Sequence, residues 1–288
     1  MSRTEPTTIT ADLLRGWPLP SGDTKYERGR VLVIGGAART PGAAQLAGLA
    51  ALRVGGGHLS LAVAAPVAVA LAVVTPEAGV SGLATNDAGS VLADDIGTLA
   101  DQLERCDAVI IGPGLDEPEL TSEVVEAALP LIGPQTAVVL DAYALGALPR
   151  LAPLDGDLAA RTVLTPNNSE AELLLGRPLG DDIEADVAEM VDRYGAVVAL
   201  NDIIASPDGE QWRLGVGTSG LATSGSGDVL AGAVGGLLAR GGEPAQAACW
   251  AKYLHGEAAE RLGVRVGRLG FLAREILDEL PGVLTQLS

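Results

Sequence analysis

Gly220-Leu-Ala-Thr-Ser-Gly-Ser-Gly-Asp-Val-Leu-Ala-Gly-Ala-Val-Gly-Gly236 is the stretch that decides how this 288-residue chain reads. At its centre four residues of little apolar character, Gly225, Ser226, Gly227 and Asp228, run straight into Val229, Leu230, Ala233, Val234, Leu237 and Leu238. Offsets of three and four predict a helix with a buried face, so the glycines stand at its N-terminus. Backbone N–H groups without intrahelical partners converge there with the positive end of the helix dipole, a geometry that receives an anion. Glycine lets a phosphate approach the backbone with no Cβ in the way. A carboxylate beside a phosphate is electrostatically awkward, and so Asp228 points to proton chemistry. It can take the proton of a substrate hydroxyl as that oxygen attacks a phosphoryl group. The plainer alternative is an aspartate that caps the helix, with glycines that serve packing.

Working outward, the chain alternates short β-branched runs with helical patterns. Arg30-Val-Leu-Val-Ile ends in Gly35-Gly36, and Pro41 opens a helix to Val54. His58-Leu-Ser-Leu-Ala-Val follows as a strand, then a short helix from Pro66, a helix around Val91–Leu103, and the strand Ala108-Val-Ile-Ile before Gly112-Pro-Gly-Leu115. A helix around Glu119–Leu131 leads to Ala137-Val-Val-Leu, ending in Asp141. Thr162-Val-Leu ends in Thr165-Pro-Asn-Asn-Ser-Glu170, and a helix at Asp182–Tyr194 precedes the strand Ala196–Leu200. The next residues predict an antiparallel hairpin turning at Asp208-Gly209, and helices Pro244–Leu262 and Phe271–Leu280 close the chain. This order predicts a three-layer α/β/α fold around a mostly parallel sheet. No repeat, linker or charge block divides it, so residues 1–288 are expected to form one domain, with 1–29 an irregular lead-in carrying one short helix.

Composition narrows the partners. Hydrophobic residues make up 48% of the chain and charged residues 19%, enough for a large core. With a formal charge of −18 the chain repels phosphodiester backbones and anionic membranes, so neither nucleic acid nor a membrane is an expected partner. A phosphate ligand then needs local help from backbone amides or a metal. Cys106 and Cys249 lack metal-ligand spacing and read as core thiols. There is no signal sequence or apolar run of membrane length, which makes the cytoplasm the expected compartment.

Gly112-Pro-Gly, Asp141 and Asn167-x-x-Glu170 each follow a strand, and with Gly225–Asp228 they are expected at one edge of the sheet. Glu170, with an amide three residues before it, either holds Mg²⁺ through water or caps a helix start. His58 and His255 read as structural hydrogen-bonding residues, Trp212, Trp250 and Tyr253 as packing residues, and Arg39 as a solvated loop arginine.

These pieces, taken in order, resemble the ribokinase-like superfamily, and within it the ADP- or ATP-dependent NAD(P)H-hydrate dehydratases. The resemblance runs from about Gly29 onward. It rests on Gly220–Gly241, Gly42-Ala-Ala44, Thr75-Pro-Glu77, Gly112–Leu115, the strand ending Leu140-Asp-Ala-Tyr-Ala-Leu145 and Tyr253-Leu-His-Gly256. It implies nucleotide-driven dehydration of hydrated NADH or NADPH through phosphorylation of the hydrate hydroxyl and loss of phosphate. By position it implies that Asp228 is the catalytic base and contacts the hydrate. Gly225, Ser226 and Gly227 would hold the phosphoryl group, with Asn201 and Asp202 at the nucleotide loop. Ala43, Gly114 and Asn167 would lie on the substrate. ATP or ADP and Mg²⁺ are the implied cofactors, and a separate NAD(P)H-hydrate epimerase a companion in the pathway; the alanine-lined helices suit a homo-oligomer and a tight core equally well. Three departures stand out. Tyr143 replaces a second aspartate, Asn167–Glu170 replaces His-Pro-Gly-Glu, and Leu200-Asn201-Asp202 replaces a Leu-Lys-Gly segment. They keep two rivals in view: an ATP-dependent kinase of a small hydroxylated metabolite, and a nucleotide-binding relative without catalysis.

Overall fold

A computed structural model describes residues 5–151, 153–215 and 221–287; Gly220, which opens the quoted stretch, lies outside the described residues. In chain order the elements are β1 (Thr7–Ile9), α1 (Ala11–Gly16), β2 (Arg30–Ile34), α2 (Pro41–Arg53), β3 (His58–Ala64), α3 (Ala65–Val74) and β4 (Ala78–Leu83). Then come α4 (Ala100–Arg105), β5 (Ala108–Ile111), α5 (Pro118–Ala128), β6 (Ala137–Leu140), α6 (Gly156–Ala159), β7 (Thr162–Leu164), α7 (Asn168–Leu175) and α8 (Ile183–Tyr194). The last are β8 (Val197–Leu200), β9 (Ile203–Ala205), β10 (Gln211–Leu214), α9 (Ser226–Ala239), α10 (Pro244–Arg265) and α11 (Ala273–Leu287).

The strands form one ten-stranded sheet in the order β1-β10-β9-β8-β7-β6-β5-β2-β3-β4. The expected hairpin reverses the chain for a single strand. β9 is antiparallel to both β8 and β10, and β10 then pairs parallel with β1. Because side chains alternate across a strand, Val31 and Val33 of β2 face one core with α2, α9, α10 and α11. Leu32 and Ile34 face a second core with α4, α5, α7 and α8. These are the three expected layers.

Two strands escaped the sequence reading. β4 reads Ala-Gly-Val-Ser-Gly-Leu, too rich in small residues to signal a strand, and occupies one edge of the sheet. β1, Thr-Thr-Ile in the expected lead-in, forms the other edge through Thr7 opposite Trp212. The single helix expected at Val91–Leu103 is a 3₁₀ segment, Ala93–Leu99, that passes into the short α4.

The residues Val229 to Leu238 that predicted a buried face are all buried, and so are Ala231, Gly232, Gly235, Gly236 and Ala239 between them. A helix buried on every side needs small residues where backbones meet. A Cβ on Gly232 would stand 2.0 Å from the carbonyl oxygen of Ala47, and one on Gly236 2.5 Å from that of Ala51. α9 therefore lies directly on α2.

Candidate active site

Strand order sets out the candidate residues along the carboxyl edge of the sheet. Asn201 follows β8, Thr165–Glu170 follows β7, Asp141 follows β6, the Gly112–Leu115 loop follows β5 and the Gly35–Thr40 loop follows β2. The last two loops are tied together, since Ala37 N–H and Thr40 Oγ1 both donate to the Gly114 carbonyl, at 2.8 and 2.7 Å. Gly114 adopts φ +77, and a Cβ there would come within 3.0 Å of the Ala43 Cβ and 2.4 Å of the Thr40 carbonyl oxygen. Two of the four residues expected on the substrate, Ala43 and Gly114, are thus neighbours.

Gly225 is the N-cap of α9 with φ 88 and makes no side-chain cap; Asp228 is the third helical residue. The capping role that sequence left open for Asp228 is not taken up. The Ser226 N–H is turned to the Thr223 carbonyl at 3.2 Å. Among the described residues, the N–H groups of Gly227 and Asp228 have no acceptor. Gly227 has nothing within 4 Å of where a Cβ would be, so packing does not require glycine there. Burial, reinforced by the charge of Glu170, pushes the Asp228 carboxyl up to about 6.

Beside this helix start lies a cavity of about 330 Å³ whose lining includes Thr165, Asn167, Asn201, Ser226, Gly227, Lys252 and His255. Four of the nucleotide or substrate candidates, Asn167, Asn201, Ser226 and Gly227, meet there. Asp202 does not line it; its carboxylate faces Arg213 Nε at 3.4 Å. Ala43 and Gly114 lie farther along the edge, above β2 and β5. Between the two regions, Asp141 accepts a hydrogen bond from Thr165 Oγ1 at 2.7 Å. Burial raises its carboxyl to about 7, helped by the charges of Glu170 and Asp228. The Glu170 charge thus acts on both aspartates, and that of Asp228 on Asp141.

Glu170 closes a capping box on α7. Its Oε2 accepts from Asn167 N–H at 2.9 Å, and Asn167 Oδ1 accepts from Glu170 N–H at 3.0 Å. The capping alternative is therefore realised. Among the described residues no three His, Cys, Asp or Glu side chains are grouped to hold a metal. Hard oxygen donors from one or two carboxylates, completed by water and phosphate, suit Mg²⁺, as they suit Ca²⁺ and Mn²⁺.

Sequence reasoning missed Lys252. It lies on α10, is 8% exposed, and donates from Nζ to the Asn201 carbonyl at 2.8 Å. Burial lowers its ammonium to about 8 against the pull of Asp202 and Asp141. Of the 19 Lys and Arg residues in the chain two are lysines, Lys25 and Lys252, and a lysine on an apolar helix three positions from a histidine was the available signal. That histidine, His255, shares a 3.0 Å hydrogen bond with Ser226 Oγ, as its structural reading requires, and burial together with Lys252 lowers it to about 3. His58 differs from its reading, because its buried Nε2 has no hydrogen-bond partner among the described residues; its ring lies against Tyr26 instead. Trp212 stacks on Trp17, and Trp250 Nε1 donates to the Trp17 carbonyl, so both pack as expected.

Residues 31–282 match the NAD(P)H-hydrate dehydratase family. The chain belongs to this family. It is 42% identical to the ADP-dependent (S)-NAD(P)H-hydrate dehydratase of Xanthomonas campestris pv. campestris, over 97% of this chain and 96% of that protein. It is 38% identical to the bifunctional NAD(P)H-hydrate repair enzyme of Moorella thermoacetica, over 90% of this chain but 50% of that protein, so it spans about half of such relatives. The crystal structure of ADP/ATP-dependent NAD(P)H-hydrate dehydratase from Bacillus subtilis, co-crystallised with ATP and Mg²⁺, superposes with a TM-score of 0.84. It is 31% identical, with 99% of this chain and 100% of that one covered. The architecture of this dehydratase-family chain is ribokinase-like. Among its described residues no helix is long and apolar enough to cross a membrane.

Proposed function

We propose that this chain returns hydrated NADH and NADPH to the reduced cofactors, using an adenine nucleotide. The observation that carries the reading is Asp228. It is a partly buried carboxylate at a helix start, released from capping, its proton affinity raised into the range of a working base. The hydrate hydroxyl oxygen bonds to the terminal phosphorus as the bond from phosphorus to the leaving nucleotide oxygen breaks, and Asp228 takes the hydroxyl proton. The C–O bond then breaks with its electron pair on phosphate, a far better leaving group than hydroxide. Loss of a proton from the neighbouring carbon restores the ring double bond. The open N–H groups of Gly227 and Asp228 face the charge that develops on the phosphoryl oxygens. Ala43, Gly114 and Asn167 bound the hydrate. Glu170, through water, and the nucleotide phosphates would hold Mg²⁺, which supplies charge neutralisation.

The family match and the 42% identity to a dehydratase support this reading over a small-molecule kinase. The name of the 42%-identical relative favours ADP as donor. The test is recovery of reduced-nicotinamide absorbance from prepared NADH hydrate with Mg²⁺ and either nucleotide. Recovery that Asp228→Asn abolishes is expected, and folded wild-type protein with no recovery from either nucleotide overturns the reading.

A further inference from the structure

Lys252 is a buried cation with little to hold it. An ammonium has three donors. Among the described residues Nζ has one acceptor, the Asn201 carbonyl, and no carboxylate within 4.0 Å. The chain otherwise uses arginine almost throughout, and the second lysine, Lys25, is exposed. A buried, under-partnered ammonium is costly unless something completes its shell.

What faces it is the cavity that also takes in Ser226 and Gly227, at the open start of the fourteen-residue α9. Its lining brings together Gly227, whose N–H has no acceptor among the described residues, and Lys252. Both favour an anion in a chain whose net charge is −18. The Asn201 backbone supports the placement. It holds φ 51, one of two non-glycine residues with positive φ among those described, and so aims its carbonyl at Nζ.

We propose that Lys252 is the phosphate-binding cation of the nucleotide site, contacting the polyphosphate together with the open amides at the start of α9. The assignment rests on the reading that this cavity takes an adenine nucleotide. It makes α10, a helix far from β8 in sequence, the source of the positive charge, with Asn201 positioning the ammonium.

The two-lysine composition makes the test direct. In full-length protein labelled with ε-¹³C lysine, two signals are expected, and Lys252→Met identifies one by its loss. ATP, ADP and inorganic tripolyphosphate should each move the Lys252 signal saturably, while adenosine leaves it in place and Lys25 responds to none. Calorimetry should show Lys252→Met weakening ATP, ADP and tripolyphosphate by about tenfold or more, as loss of a charge-assisted hydrogen bond requires. Adenosine binding should be unchanged. A Lys252 signal that stays still while ATP binds overturns the proposal, as does a folded variant that binds ATP like wild type; in either case dehydration by wild type leaves the dehydratase reading standing. A Lys252 response to tripolyphosphate in a protein that dehydrates nothing would uphold the anion site and sink the dehydratase reading instead.

Discussion

Two helices start at the same sheet edge with an acidic residue in their third position, and the two residues behave differently. At α7, Glu170 reaches back to the N–H of Asn167, whose side chain returns the bond, and the helix start is closed. At α9 the cap is Gly225, which has no side chain to offer, and Asp228 is one methylene shorter and makes no cap. One start satisfies its polar groups internally, and among the described residues the other leaves two N–H groups without an acceptor. The contrast teaches that an acidic residue near a helix N-terminus acquires its role from the capping position rather than from its own charge.

The largest effect should come from neutralising the open start. Asp228→Asn should lower dehydration about 10³-fold, the range of a lost general base, and yet make the protein more stable at neutral pH. The sign follows from the raised carboxyl, at about 6 folded against 3.8. Below pH 3.8 wild type and variant should be matched. Between pH 3.8 and about 6 the unfolded carboxyl ionises while the folded one holds its proton, so the gap opens to about 2 kcal/mol after allowing for solvent screening and stays constant above. Urea titrations at pH 4 and 8 measure it, and a variant less stable than wild type at pH 8 would break the comparison.

Closing the start should be the next most damaging change. Gly225→Asn puts a good capping residue at φ 88, but its Cβ would stand 2.7 Å from Leu46 Cδ1. A loss of about 2 kcal/mol in urea unfolding is expected, together with weaker nucleotide binding. Gly227→Ala is milder and more telling. Its Cβ meets nothing, so stability should move by less than about 1 kcal/mol, while calorimetry should show nucleotide affinity down about tenfold, with the methyl group where the phosphate would lie. The smallest effect belongs to the closed start. Asn167→Ala should cost about 1 kcal/mol of stability, the usual value of a cap, seen as a lower urea midpoint with unchanged slope.

The sheet and the open helix start were legible because their signals are local. β-branched runs ending in glycine, and a polar quartet before an apolar helical series, each lie within a few residues. β1 and β4 were hidden because edge strands need no apolar run, and Thr7–Ile9 is recognisable only through its partner Trp212. Lys252 was hidden for another reason. It is fifty-one positions from Asn201 in sequence, and nothing but the packing of α10 over the end of β8 brings them together. Glu170 was legible only as a pair of alternatives, of which the mutual hydrogen bonds with Asn167 display the cap.

The contact of α9 with α2 carries a further consequence. Gly232 meets Ala47 and Gly236 meets Ala51, so both chains advance four residues between contacts and the two helices run parallel. Continuing that spacing one turn back, about 5.4 Å, brings Asp228 and Ala43 level with each other. Two glycines without side chains thus act as a ruler. They forbid either helix from sliding along the other, and they fix the separation between the proposed base and the alanine proposed to lie on the substrate.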